Sequence, residues 1–477
     1  MRWLARSFGP GLIAWLTFSR GACAHALAQR YDLPLPLGLF LAGAGAVVAV
    51  SFVILALFWR RKRNGPAYSD YVIALGDVPT SITTVCQFAA VCALALIIVA
   101  GLFGHPSTFK NIAPVGVWVI WWVGLSFVSA FVGNLWALIN PWSATFGFFQ
   151  LLSRPWTRQL SLQWPYPAWL GSWPACALFL VFAWLELIAP GRDVPRNVAI
   201  AVTIYSGITW TGFVLFGREV WLKSGEAFSI AFDLFSRFAP LHLSKNKRWH
   251  CTLRPYAAGL LPQEPLAPSM IAFTLLMLAT VTIDGIMETP LWAAGVDQLV
   301  AKPGGIDPDP VIYMLLGSAL LVVGPLVLAG LYLGVVAAMA RMTGSSVATL
   351  AGWFVLSLVP IAIAYHLSHY FSLFMVAGQF IIPLASDPFG YGWDLFGTTL
   401  YRIDIGIVDA KLIWYLAVSA LVTGHVIAVW VGHVTAFVVF NDAGTARRSQ
   451  FPMVILMVGY TMLSLWIIAQ PIVELSK

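Results

Sequence analysis

Ten stretches of this chain contain about 20 predominantly apolar residues each, the length that carries a helix across a lipid bilayer. The chain is 60% hydrophobic and only 10% charged, with a mean hydropathy of +0.83. Soluble proteins carry about 25% charged residues, so a soluble fold is excluded. We therefore predict an all-α, polytopic transmembrane helix bundle. The predicted spans are residues 36–59, 81–103, 113–139, 167–189, 198–217, 268–289, 311–340, 346–372, 411–440 and 451–472.

Residues 1–24 have the features of a secretory signal peptide. Two arginines precede an apolar stretch, and Ala22-Cys23-Ala24 fits an A-x-A cleavage site. Cleavage would leave His25 as the first residue of a single integral membrane domain, 25–477. An uncleaved anchor is the alternative, because an arginine lies close to the predicted cut.

The distribution of lysine and arginine predicts the orientation. With the mature N-terminus outside, inner loops hold 16 of the 27 basic residues, outer segments hold eight, and the signal peptide holds three. The positive-inside rule then places both mature termini outside. The net charge of +7 reflects this orientation, and we expect no nucleic-acid partner. The largest inner loop, 218–267, is basic, and its helically spaced apolar residues predict an amphipathic helix on the membrane surface.

Ionisable side chains inside the spans are the strongest functional signal, because lipid penalises them and they face the protein interior or an aqueous cavity. Asp284 and Glu288 are four residues apart, and His366 and His369 are three apart, at similar depth in the outer half of the membrane. Both spacings place side chains on one helix face. The carboxylates and histidines in the predicted spans are Glu186, Asp284, Glu288, His366, His369, His425 and His433.

Two carboxylates and two imidazoles would form a site for zinc or another divalent first-row ion. The predicted ligands are Asp284, Glu288, His366 and His369, with His425 as a further ligand or a supporting group.

A bound ion of this kind generates hydroxide at neutral pH and polarises the carbonyl or phosphoryl oxygen under attack. Glu288 could instead act as the general base. Tyr365 or Tyr370 could donate a hydrogen bond to a developing oxyanion. The alternatives are hydrogen bonds that join helices, a structural ion pair, or a proton relay.

The predicted outer loop 378–410 is rich in aromatic, glycine and aspartate residues. Its sequence begins GQFIIPLASDPFGYGWDLFGTTLYRIDIG. Glycines and Asp-Pro indicate tight turns, and the aromatic residues suit a membrane interface. The loop could be a lid over the site, a docking surface for a partner, or an ordinary interfacial loop.

Several segments resemble the bacterial membrane proteins named fenitrothion hydrolase. The resemblance runs from the mature N-terminus to the last span and is carried by AHALAQRYDLPLPLGLFLAGAGAVVAVSF, NIAPVGVWVIWWVGL, INPWSATFGF, TIDGIMETPLW, AYHLSHYFSLF, SDPFGYGWDLFGT and ARRSQFPMVILMVGYT. It implies an inner-membrane enzyme that hydrolyses a hydrophobic phosphorothioate or phosphotriester. It leaves open whether a second subunit is needed, and it transfers no catalytic residue.

Two other classes of function remain open on the sequence. Pairs among His366, His369, His425 and His433 could ligate haem or copper in a redox protein, or His25 could bind copper through a new amino terminus. A transporter or assembly factor could instead use a polar path from Asp284 to His433, although carriers often show an internal repeat and this chain shows none.

Overall fold

The computed structural model describes residues 31–58, 72–246, 248–261, 263–300 and 310–472, except positions 154, 156 and 158. The predicted signal peptide, its cleavage site and His25 lie outside the described residues, as does the basic cluster 60–63. Ten described helices are long and apolar enough to cross a membrane. The predicted all-α, multi-pass architecture and its ten spans are therefore confirmed.

We number these helices as spans in chain order. Spans 1 to 10 are Leu37–Phe58, Thr80–Phe103, Ile112–Phe131, Ala168–Leu187, Pro195–Phe216, Pro268–Met287, Val311–Thr343, Val347–Ser386, Ala410–Val439 and Ala443–Gln470. Span 3 includes a π-helical stretch, Val115–Gly124. Span 8 consists of helices Val347–Phe354, Val359–Ala377 and Ile381–Ser386, joined by short 3-10 turns. Shorter helices are Leu135–Ile139, Pro141–Ser153, Arg218–Ser224, Ala227–Ser236 and Pro290–Val300.

Burial separates central from peripheral spans, although all are similarly apolar. In spans 3, 6 and 8, 61%, 67% and 78% of the most apolar window is buried within the protein, against 11% in spans 2 and 7. The peripheral spans present large aliphatic side chains such as Leu326 and Val85 outwards, where lipid can cover them. Spans 3, 6 and 8 therefore form the centre of the bundle. Span 8 packs most extensively against span 9.

Three predicted boundaries differ clearly from the structure. Span 10 begins at Ala443 and not at residue 451. Span 3 ends at Phe131, and Asn134 starts a separate short helix by accepting a hydrogen bond from the Ala137 amide. Span 8 continues to Ser386, so the predicted loop 378–410 begins as helix. The reason is that Gly378 keeps helical dihedral angles, with φ −60° and ψ −27°, and does not end the helix.

The predicted surface helix in loop 218–267 is wrong. The segment forms two helices with a break at Gly225, and most of the second, Ala227–Ser236, is buried. Its Phe228 ring lies 4.4 Å from Trp121 and 6.0 Å from Trp122, measured between centroids. These tryptophans of span 3 offer a better partner for the aromatic face than lipid headgroups would. The helix therefore packs into the bundle.

The same connection also contains strands, which the all-α prediction omitted. β2 (Leu241–Lys245) and β3 (Trp249–Leu253) form an antiparallel hairpin, and β1 (Ile73–Asp77) pairs with the other edge of β3. The alternation of apolar and polar residues in LHLSK is typical of a strand with two different faces. The sheet links the start of span 2 to the connection between spans 5 and 6.

Candidate functional site

The centre of the candidate site is the Asp284 carboxylate near the end of span 6. The His369 imidazole of span 8 places Nε2 at 2.7 Å from Asp284 Oδ2, and the Tyr370 hydroxyl donates a hydrogen bond to the same oxygen at 2.7 Å. The His369 side chain is 3% exposed and that of Asp284 is 15% exposed. Two neighbouring residues of one helix thus hold a carboxylate that another helix supplies.

Glu288 completes a group of three. One ligand atom from each of Asp284, Glu288 and His369 lies within 4.8 Å of the others. Asp284 is in the last turn of span 6 and Glu288 is its C-cap, with φ −89° and ψ −8°. The four-residue spacing therefore still presents both carboxylates on one side. Two carboxylates and one imidazole suit zinc or another divalent first-row ion.

His366 does not join this group. Successive helical residues are rotated by about 100°. Side chains four residues apart therefore point more nearly in the same direction than side chains three residues apart. His366 shares its face with Tyr370, at 4.7 Å between ring centroids, and His369 shares its face with Tyr365, at 6.3 Å. The His366 ring lies among Trp122, Phe127 and Phe235. The predicted ligand set is corrected accordingly.

His425 and His433 also lie apart from the three ligands. His425 in span 9 has Nδ1 2.7 Å from the Leu421 carbonyl oxygen, and its ring is 6.1 Å from that of Tyr460. His433 has Nδ1 2.9 Å from Gln450 Oε1, close to the start of span 10. Nδ1 of each histidine thus has a partner on its own helix or on the next one, and none of these contacts involves the three ligands. The prediction that His425 completes the ligand set is therefore not met.

Tyr365 and Tyr370 have different surroundings. The Tyr370 hydroxyl is already committed to Asp284. The Tyr365 hydroxyl is buried and has no hydrogen-bond partner among the described residues. It fits against Gly285, where an added Cβ would lie 2.6 Å from the hydroxyl oxygen. Of the two tyrosines, Tyr365 is the one with a hydrogen bond still to donate.

Sequence reasoning named Glu186 among the ionisable groups of the spans, but it placed neither Glu186 nor Arg192 beside the Asp284 carboxylate. Glu186 is in the last turn of span 4, and Arg192 lies in electrostatic range of both Glu186 and Asp284. The Arg192 guanidinium donates to the Leu187 carbonyl, and its own carbonyl accepts from the Trp118 indole at 3.2 Å. The signal was available, because spans 4 and 6 run in the same direction and both carry a carboxylate near their last turn.

The aromatic loop after span 8 is held to the connection between spans 2 and 3. The Tyr391 hydroxyl donates to the Phe103 carbonyl, and the His105 amide donates to the Phe389 carbonyl. Asp387 accepts from the amides of Tyr391 and Gly392. The hydrogen bonds described for this loop do not reach the three ligands, so they give no support to a lid.

We expect the Tyr370→Phe variant to retain the fold but to bind a divalent ion more weakly. The substitution removes one of the two hydrogen bonds that orient Asp284 Oδ2, and supporting groups of this kind contribute about 10- to 100-fold in metal affinity or activity. Titration of the metal-free protein with zinc would measure the change. Tyr391→Phe, which removes a hydroxyl from the distant aromatic loop, is the matched control and should leave the affinity unchanged.

No family model, curated protein or solved structure matches this chain in our comparisons with known proteins.

Proposed function

We propose that this protein is a membrane-embedded, metal-dependent hydrolase of hydrophobic esters. The observation that carries the proposal is the group formed by Asp284, Glu288 and His369. Structural zinc sites use four protein ligands, whereas catalytic sites use three and keep a position open for water or substrate. Three ligands, two of them at the partly exposed end of span 6, therefore favour catalysis over a structural role.

The neighbouring side chains suit hydrolysis by bound hydroxide. A divalent ion held by these ligands would lower the pKa of a bound water to about 7. The Glu288 oxygen that does not bind the ion can accept a proton from the attacking water. Tyr365 has a buried hydroxyl with no partner among the described residues, and it can donate to the oxyanion that develops. Tyr370 orients Asp284 and is assigned a positioning role.

The proposed substrates are organophosphorus esters, in keeping with the resemblance to fenitrothion hydrolases. Such triesters are uncharged and dissolve in lipid, and the ligands lie on spans that a bilayer would surround. Attack by water gives a phosphodiester or phosphorothioate diester, a phenol and one proton. The proposed location is the bacterial inner membrane, with the site opening to the periplasm. A second subunit is compatible with this scheme but is not required by it.

The decisive experiment measures metal and turnover together. Protein purified in detergent is expected to contain about one divalent ion per chain and to release phenol from an aryl phosphorothioate triester. A chelator should remove both, and zinc or manganese should restore both. Turnover by protein that elemental analysis finds free of metal would contradict the proposal.

We further predict that residues 344 and 401 lie on opposite sides of the membrane, with residue 344 inside. Span 8 separates them, and the basic residues of the predicted inner loops set the direction. Single cysteines at these positions, in a background without native cysteines, can be treated with a membrane-impermeant maleimide in intact cells. Labelling is expected at residue 401 alone. Labelling at residue 344 alone would invert the proposed orientation.

A carrier of protons or small cations is the second candidate. Polar groups continue from the three ligands towards the middle of the membrane. Thr282 and Tyr460 share a hydrogen bond, and His425 lies beside Tyr460. A carrier would move its ion only in sealed vesicles, whereas the proposed hydrolase also works in detergent. Haem or copper ligation by paired histidines receives less support, because His366 and His369 occupy different faces of span 8.

A further inference from the structure

A small cavity is lined in part by Tyr370, the tyrosine whose hydroxyl donates to Asp284. Spans 3, 4, 6 and 8 enclose it, and its free space of about 10 Å³ is close to the least that admits one water molecule. Its walls are mostly apolar, from residues such as Phe179, Phe235 and Met277. An apolar cavity of this size would ordinarily stay empty. Its polar side chains make this one different.

Five polar side chains line the cavity. Thr280 and Tyr370 already donate hydrogen bonds elsewhere, and the other three come from three different spans. Trp122 comes from span 3, Glu186 from span 4 and His366 from span 8. The Trp122 and His366 side chains are buried, with residues 5% and 4% exposed. His366 Nε2 has no hydrogen-bond partner among the described residues. Trp122 Nε1 makes no hydrogen bond of normal length and angle there either, although it lies close enough to the Glu186 carboxylate to interact with it. A buried polar group without a full hydrogen bond destabilises the fold, so both groups favour a further partner inside the cavity.

We infer that this cavity is a built site for one water molecule. The three side chains supply a consistent set of hydrogen bonds. The Trp122 indole can only donate, so it donates to the water oxygen. The water then donates one proton to His366 Nε2 and the other to the Glu186 carboxylate. Buried waters typically make about three hydrogen bonds to groups that would otherwise be unsatisfied.

The water gives His366 a role that differs from metal ligation. Its imidazole lies edge-to-face against the Tyr370 ring, with centroids 4.7 Å apart, and the Tyr370 hydroxyl donates to Asp284. Fixing the imidazole with a water therefore also fixes the tyrosine that orients a ligand. This second step rests on the proposed function and makes His366 a positioning residue. The water site itself does not depend on catalysis.

The water site can be tested by filling the cavity. Ala183 is a buried wall residue of span 4, and Ala183→Val adds two methyl groups. If a water is present, the valine displaces it and leaves Trp122 and His366 unsatisfied, so Tm falls. If the cavity is empty, the valine fills it and Tm rises. Ala279→Val is the matched control, because Ala279 belongs to the same buried cluster but does not line the cavity.

A larger fall in Tm for Ala183→Val than for Ala279→Val supports the inference, and an equal or smaller fall overturns it. An experimental density map of the wild-type protein supplies a second measurement, in which the absence of a water peak between Trp122 and His366 would also overturn it.

His366→Phe and His366→Gln test the positioning role. Glutamine retains an acceptor near the Nε2 position, so it should keep kcat closer to wild type than phenylalanine does. Equal kcat values in the two variants would refute the positioning role of His366. The metal content of both variants should equal that of the wild type. Absence of hydrolysis by the wild type would reject the proposed function and leave the water result standing.

Discussion

Purified His369→Ala protein is expected to contain no bound divalent ion, whereas His366→Ala protein should retain it. The two histidines are three residues apart on one helix, yet only His369 has a nitrogen within ligand distance of Asp284 and Glu288. Removing one of three ligands should lower turnover more than about 100-fold, since changes to groups that merely support a ligand already cost about 10- to 100-fold. Elemental analysis and an ester-hydrolysis assay measure the two effects.

Asp284→Asn is the stricter form of this test. Asparagine keeps the shape of the side chain, and its oxygen can still accept from Tyr370, but it lacks the charge that a divalent ion requires. We expect loss of the ion and of turnover in a protein that remains monodisperse. Asp297→Asn, on the exposed face of the helix Pro290–Val300, controls for removing an acidic charge at the same end of span 6. Full metal content in Asp284→Asn would show that Asp284 is not a ligand of the ion.

Gly424→Ala is expected to destabilise the protein strongly although alanine is the better helix former. A Cβ at this position of span 9 would lie 2.5 Å from Ala364 Cβ and 2.7 Å from the Pro360 carbonyl oxygen. A carbonyl in a packed helix cannot move aside independently, so spans 8 and 9 would have to separate. Overpacking of this kind costs about 1–3 kcal/mol. Because span 8 carries His369 and Tyr370, the shift should also weaken metal binding.

Gly432→Ala provides the control on the same helix. It lies two turns further along span 9, and the nearest atom to its added Cβ is Ser357 Cβ at 3.9 Å, an ordinary contact. Alanine is more stable than glycine in a helix interior by about 1 kcal/mol. Thermal unfolding in detergent should therefore show Tm falling for Gly424→Ala and holding or rising for Gly432→Ala. Equal shifts in the two variants would mean that spans 8 and 9 do not approach closely at Gly424.

Much of the fold could be predicted from local sequence. The length of an apolar stretch and the cost of exposed backbone polar groups in lipid require a spanning helix wherever such a stretch occurs. Ten spans were predicted, and the part of the chain that the structure describes contains ten. The β2–β3 hairpin was predictable in part, since its alternation is visible in the sequence. Its pairing with β1 joins residues about 180 positions apart, and nothing local specifies that partner.

The burial of helix Ala227–Ser236 could not be read from its own residues. Apolar side chains at helical spacing are equally consistent with a membrane surface and with a protein groove. The choice depends on the tryptophans of span 3, which are about 100 residues earlier in the chain. Hydropathy likewise does not separate spans 2 and 7 from spans 3, 6 and 8, because lipid and protein interior are similarly apolar.

For the candidate site, the sequence by itself determined which ionisable groups lie within spans and that Asp284 and Glu288 share a face. Only the tertiary structure decided that His369 meets them while His366 turns towards Trp122 and Glu186. Spacing along one helix defines the angle between two side chains, but not the rotation of that helix against its neighbours. That rotation follows from the packing of span 8 against spans 3, 6 and 9, which depends on contacts such as Gly424 with Pro360. Those contacts exist only when the chain is folded.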